Sequence, residues 1–171
     1  MSKSFADLGV SRAVADALKQ RGIHTPFPIQ ELVIGDVLAG GDVLAKSPTG
    51  SGKTLAFGVP LIDRIAADAR RPAALVLAPT RELASQIVDE LAPLARVRNL
   101  SVAAVYGGVG FEKQTRDARR AHIIVATPGR LEDLLHRRAF SLADVRTLVL
   151  DEADRMLDMG FRPAVDRIVA R

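Results

Sequence analysis

The sequence predicts an α/β fold, a mostly parallel sheet with helices on both faces. Short apolar, β-branched runs alternate with stretches of helical spacing, the texture of βαβ units. The runs are apolar continuously rather than alternately, as strands covered on both faces are. Turn residues stand at the junctions. The expected strands are Asp42–Lys46, Ala74–Ala78, Ser101–Tyr106, His122–Ala126 and Thr147–Leu150.

Between them the helices carry their own start and stop signals. Ser11 can cap a helix in which Val14 and Leu18 share a face, and Gly22 stops it. Pro28 suits the first turn of the next helix, which carries Ile29, Leu32, Val33 and Val37 and stops at Gly40–Gly41. A helix begins at Lys53. Thr80 can cap Arg81–Leu94, where Leu83, Ile87 and Leu91 repeat at spacing four. Pro128–Gly129 opens Arg130–Arg138, with Leu131, Leu134 and Leu135 inward. Arg70, Arg71, Pro72 and Asn99 mark surface connections.

Composition narrows the class. The 171 residues contain 48% hydrophobic and 26% charged residues, the balance of a single globular domain or a piece of something larger. With no cysteine, disulfide scaffolds, thiolate metal sites and cysteine nucleophiles are excluded. No apolar run is long enough to cross a bilayer, and the first residues have no apolar secretory core. The expectation is a cytoplasmic protein with no membrane partner. Net charge is +4. Ten of the basic residues, against five acids, lie between 96 and 146, a stretch that could face a polyanion. His24, His122 and His136 lack metal-ligand spacing and are read as structural, as are Tyr106, Met156 and Met159.

Two stretches carry chemistry. In Ser47-Pro48-Thr49-Gly50-Ser51-Gly52-Lys53-Thr54 a strand gives way to a glycine-rich turn and then a helix. Such a turn points successive backbone N–H groups at one spot, beside the positive end of the helix. Lys53 supplies a point charge for phosphates, and the Thr54 hydroxyl can hold Mg²⁺. The strict phosphate-loop pattern wants glycine at Ser47. In Thr147-Leu-Val-Leu150-Asp151-Glu152 a buried strand delivers two carboxylates at its C-terminal end, where open α/β sheets bind ligands. Read alone, the pair caps a helix. Read beside a phosphate loop, one carboxylate can serve Mg²⁺ and the other can polarise the water attacking the γ-phosphate.

Asp151-Glu-Ala-Asp154-Arg-Met-Leu-Asp-Met-Gly-Phe161 resembles the signature of the DEAD-box ATP-dependent RNA helicases. Phe5, with Gly22-Ile-His-Thr-Pro26-Phe-Pro28-Ile29-Gln30, is similar to the family's Q motif. Pro79-Thr-Arg-Glu-Leu-Ala84, Gly107-Gly108 and Thr127-Pro-Gly-Arg130 resemble its RNA-contacting motifs, and the likeness covers essentially all 171 residues. It implies an N-terminal RecA-like, ATP-binding domain spanning 1–171, with residues 1–30 as the Q-motif region. Gln30 would bond the adenine edge while Phe5 stacks on the base. Ser47, Pro48, Thr49, Gly50, Ser51, Gly52, Lys53 and Thr54 would cradle the phosphates of ATP. Thr54 and Asp151 would serve Mg²⁺. Lys53 and Glu152 would be catalytic, Glu152 by positioning the attacking water. Pro79, Thr80, Arg81, Gly107, Gly108, Thr127, Pro128, Gly129 and Arg130 would hold the backbone of one RNA strand without reading its sequence.

Two departures from the family pattern stand out. Ser47-Pro48 replace a small residue and Gln, and Pro48 removes a backbone N–H from the loop. Phe27 stands where a small hydroxyl residue is common. The resemblance also implies a Ser-Ala-Thr strand between the phosphate-loop strand and the Asp-Glu strand. It implies a C-terminal RecA-like domain carrying arginine fingers as well. Neither lies within the 171 residues, so the expected sheet has a slot between Asp42–Lys46 and Thr147–Leu150, closed either by direct pairing of those two strands or, as favoured here, by self-association. Two alternatives remain: a module that binds without turnover, and a phosphate-loop enzyme of another kind.

Overall fold

A strand exists only where a neighbour accepts its hydrogen bonds, and parallel neighbours require crossovers of a dozen or more residues, usually helical. The computed structural model describes residues 3–171 and contains two compact units. One comprises the chain up to residue 67 with 90–100; the other comprises 68–89 with 101–171.

The first unit is helical. A 3₁₀ turn at Ala6–Leu8 precedes α1 (Arg12–Gln20), α2 (Pro28–Leu38) and α3 (Lys53–Arg64). Ser11 caps α1 by accepting from the Val14 N–H. Its own N–H and hydroxyl donate to Asp63 at 2.7 and 2.5 Å, tying this cap to the end of α3. Gly22, at φ +76°, and Gly40, at φ +91°, turn the chain out of α1 and α2. Val14, Leu18, Val33, Ile34, Leu55, Val59, Leu61 and Ile62 form the buried interior.

Two expectations fail here. On α2 the buried positions are Gln30, Val33 and Ile34, while Leu32 is 71% exposed; the helix turns a face offset from the apolar count inward. The segment Asp42–Lys46 is not a strand. Each of its residues is exposed, and the Leu44 side chain is fully so. β-propensity supplies no hydrogen bonds of its own, and this run belongs to no ladder.

The second unit holds the sheet: β1 (Ala74–Leu77), β2 (Val102–Val105), β3 (Ile123–Ala126) and β4 (Thr147–Leu150). All pairings are parallel, in the order β2-β3-β1-β4. With it go α5 (Phe111–Arg120), α6 (Pro128–His136), α7 (Ala153–Asp158), α8 (Arg162–Val169) and the start of α4 (Arg81–Arg96). The four remaining strand expectations agree with the structure to within a residue at either end. Every residue of β1 and β3 is buried, so both faces of the central pair are covered. Leu75, Leu77, Ala103, Val105, Ile124 and Ala126 line one face with Leu131, Leu134, Leu135, Met156 and Ile168.

β4 is different. Among the described strands it pairs with β1 alone, and Leu148 and Leu150 are 38% and 41% exposed. Met156 packs as expected, but Met159 is 48% exposed on the surface past α7. His122 is buried, and its Nδ1 meets the Ser101 N–H and hydroxyl at 3.1 Å, a structural role.

Candidate functional site

In the first unit the chemistry centres on the turn into α3. Gly50 and Gly52 have φ of +79° and +86°, backbone that a side-chain-bearing residue adopts at a cost. Gly52 is the N-cap of α3, so the turn presents the helix's positive end. The loop is internally satisfied. Lys53 Nζ donates to the Ser47 carbonyl at 2.9 Å, and the Ser47 hydroxyl bonds the Ser51 hydroxyl. Pro48, Thr49 and Gly50 stand exposed, while Ser51 to Thr54 are half-buried.

Gln30 reaches this turn from α2. It is 2% exposed, and its Nε2 donates to the Gly52 carbonyl at 3.0 Å while its Oε1 accepts the Phe27 N–H at 2.8 Å. A Cβ on Gly52 would lie 2.5 Å from Gln30 Nε2 and 2.6 Å from Phe27 Cδ2. Only glycine lets the amide and the ring approach so closely. Phe5 behaves otherwise than expected. It is 3% exposed, an apolar ring closed into the core, and no stacking face is open there.

The Thr54 side chain lies within reach of the Glu90 carboxylate. Burial pushes the Glu90 carboxyl above its ordinary value, against the opposing pull of Thr54 and of the Arg21 guanidinium. Glu90 went unnoticed in the sequence. A lone acid late on a helix reads as surface, and only the fold brings Thr54 to it.

In the second unit, parallel pairing sends the C-terminal ends of all four strands to the same side. The residues of the expected RNA motifs gather on those ends. Thr80, after β1, caps α4 by accepting from the Leu83 N–H at 3.2 Å. The Arg81 guanidinium lies 5.4 Å from the Tyr106 ring centroid. It also covers Gly108, where a Cβ would lie 2.7 Å from Arg81 Nη1. Arg130, from α6, donates to the Val109 carbonyl at 2.9 Å and to Gln114 Oε1 at 3.3 Å. Gln114 in turn donates to the Tyr106 carbonyl at 2.7 Å. The loop 106–110 is thus braced from α4, α5 and α6, with Gly107, Gly108 and Gly129 exposed and Pro79 and Pro128 buried beneath. Tyr106 is half-exposed, not core. Gln114 was missed as well; its signal is a polar residue at spacing four from buried Ala118 on the inward face of α5.

The carboxylates follow β4. Asp151 is 8% exposed, its N–H donates to the Leu77 carbonyl at 2.9 Å, and its Oδ1 accepts the Glu152 N–H at 3.1 Å. Glu152 has φ +49°, a left-handed conformation that non-glycine residues hold under strain, and its carboxylate meets Arg155 at 3.2 Å. Glu152 is the N-cap of α7 but makes no side-chain cap bond, so plain helix capping does not account for it. Among the described residues no group of three or more His, Cys, Asp or Glu could hold a metal by itself.

A four-stranded parallel sheet with polar loops gathered on its strand ends defines an α/β domain of the kind that binds ligands at that edge. The chain belongs to the DEAD/DEAH box helicase family, whose family model matches residues 27–171. It is 44% identical over 168 residues, 98% of its length, to a DEAD-box ATP-dependent RNA helicase CshA of Streptococcus pneumoniae, of which it spans 32%. It is likewise 44% identical over 170 residues to the ATP-dependent RNA helicase DeaD of Escherichia coli, of which it spans 27%. A crystal structure of a DEAD box protein from Methanococcus jannaschii matches with a TM-score of 0.93 at 38% identity, covering 98% of this chain and 46% of that one. The chain therefore spans about a third or less of the curated relatives it matches.

Proposed function

We propose that this chain is the ATP-binding half of an ATP-dependent RNA helicase, the N-terminal one of two RecA-like domains. The observation that carries the reading is the turn Gly50–Thr54, with two left-handed glycines opening α3 beside a lysine. Ser47 to Thr54 cradle the phosphates, and Gln30 reads the base edge once it leaves the Gly52 carbonyl. Magnesium, when bound, neutralises developing charge on the phosphates, and Thr54 and Asp151 are the residues suited to hold it. Glu152 orients the attacking water, and Lys53 stabilises charge on the phosphoryl oxygens. Pro79, Thr80, Arg81, Gly107, Gly108, Thr127, Pro128, Gly129 and Arg130 take the RNA backbone, a contact that weakens as salt rises.

Hydrolysis coupled to unwinding belongs to the two-domain protein, since transition-state arginines are worth about 10³ to 10⁵ in rate. The 171-residue chain is expected to bind ADP and ATP weakly, to lose that binding in Lys53→Ala, and to turn ATP over very slowly with little RNA stimulation. Vigorous RNA-stimulated turnover by this chain, or nucleotide binding indifferent to Lys53→Ala, refutes the reading. Absence of any turnover even after the second domain is restored in the full-length protein would favour a binding module. The expected location is cytoplasmic; no helix among the described residues is long and apolar enough to cross a membrane.

A further inference from the structure

Phe27 is the one phenylalanine that the described structure leaves exposed, at 54%, while the other five are buried or half-buried. Its position makes that exposure odd. It is the N-cap of α2, where a hydroxyl or carboxamide side chain would satisfy a free backbone N–H, and its ring makes no cap bond. An apolar ring kept in water at a position that favours a polar residue is explained better by a ligand than by the fold.

What the ring touches says which ligand. Phe27 Cδ2 would stand 2.6 Å from a Cβ on Gly52, so the ring rests on the bare Cα of the residue that opens α3. The Phe27 N–H is held by Gln30 Oε1 at 2.8 Å, and Gln30 Nε2 holds the Gly52 carbonyl at 3.0 Å. Ring, amide and phosphate-loop glycine thus meet at one point within the first unit. Once Gln30 Nε2 leaves the Gly52 carbonyl, a planar group with a hydrogen-bonding edge fits that arrangement, its edge to the freed carboxamide and its face to the ring. Phe5, the ring the family pattern would use, is 3% exposed and presents no face.

We infer that Phe27 supplies the stacking surface for the nucleobase in this chain, taking the role that the family resemblance implies for Phe5. The inference rests on the reading that the Gly50–Thr54 turn holds the nucleotide's phosphates. A base stacked on an aromatic side chain typically contributes enough that its removal weakens binding about tenfold.

The test titrates the 171-residue chain calorimetrically with two probes, ADP and inorganic tripolyphosphate, which shares the phosphates and lacks a base. Phe27→Thr supplies a cap hydroxyl and removes the ring; Phe27→Trp enlarges it. The expected result is about tenfold weaker ADP binding in Phe27→Thr, unchanged or tighter binding in Phe27→Trp, and tripolyphosphate affinity equal in all three. ADP binding by Phe27→Thr at the wild-type level overturns the inference. So does equal weakening of both probes, which would make the ring a brace for Gly52. Lys53→Ala separates the two levels of the argument. If it weakens both probes while Phe27→Thr weakens neither, only the stacking role fails. If it weakens neither, or the wild-type chain binds neither, the phosphate reading fails and takes the stacking role with it.

Discussion

Gly50 and Gly52 both lie in left-handed backbone, at φ +79° and +86°, but they differ in surroundings. Nothing lies within 4 Å of a Cβ built on Gly50, whereas a Cβ on Gly52 would stand 2.5 Å from the Gln30 amide and 2.6 Å from the Phe27 ring. In each, alanine meets the left-handed penalty of about 1–2 kcal/mol. In Gly52→Ala the methyl also pushes the Gln30 amide off the Gly52 carbonyl, a hydrogen bond worth about 0.5–1.5 kcal/mol net. Gly52→Ala should therefore cost about 1.5–3.5 kcal/mol and Gly50→Ala about 1–2 kcal/mol. The gain from a stiffer unfolded chain is common to both and cancels in the comparison. At about 2–4 °C per kcal/mol for a chain of this length, Gly52→Ala should melt roughly 3–14 °C below wild type, and lower than Gly50→Ala. Thermal unfolding followed by circular dichroism at fixed pH and salt measures both. A Gly50→Ala variant that melts at or below Gly52→Ala would refute the argument that Gln30 and Phe27 close on Gly52.

Gln30→Ala should relax the preference for adenine over guanine nucleotides while leaving tripolyphosphate binding intact; equal loss of ATP and GTP binding would remove Gln30 from the base site. Burial raises the Glu90 carboxyl, so its ionised form disfavours the folded state increasingly as pH climbs through and above the carboxylate range. Glu90→Gln should accordingly raise the melting temperature at pH 7, the difference fading toward pH 4, and a difference that grows in acid contradicts the sign. β4 carries half-exposed Leu148 and Leu150 beside an unpaired edge among the described strands, so we expect the 171-residue chain to self-associate at micromolar concentration. A clean monomer by light scattering, with cooperative melting, rules that out.

The legibility of this chain in its sequence follows from what each signal reports. Caps and turns are local, so Ser11, Pro28, Thr80 and Pro128 announce helices that form where expected. The runs of β1 and β3 are apolar because both faces are buried, and pattern and burial agree residue by residue. Asp42–Lys46 and Thr147–Leu150 read the same way, yet one is exposed chain outside any ladder and the other a half-exposed edge strand. An apolar run records that a segment is suited to cover, not which neighbour supplies it. The site divides along the same line. Residue types and spacing single out Lys53, Thr54, Asp151 and Glu152 as candidates, because phosphate and magnesium chemistry restricts the choice. Contacts made only by the fold stay hidden: Glu90 on Thr54, Gln114 under Tyr106 and Arg130, and the exchange of exposure between Phe5 and Phe27. That last exchange has a sequence trace, since Phe27 displaces the hydroxyl expected at a helix cap. A departure from a local rule at the edge of a glycine-rich turn is where the demands of folding and of a ligand can diverge.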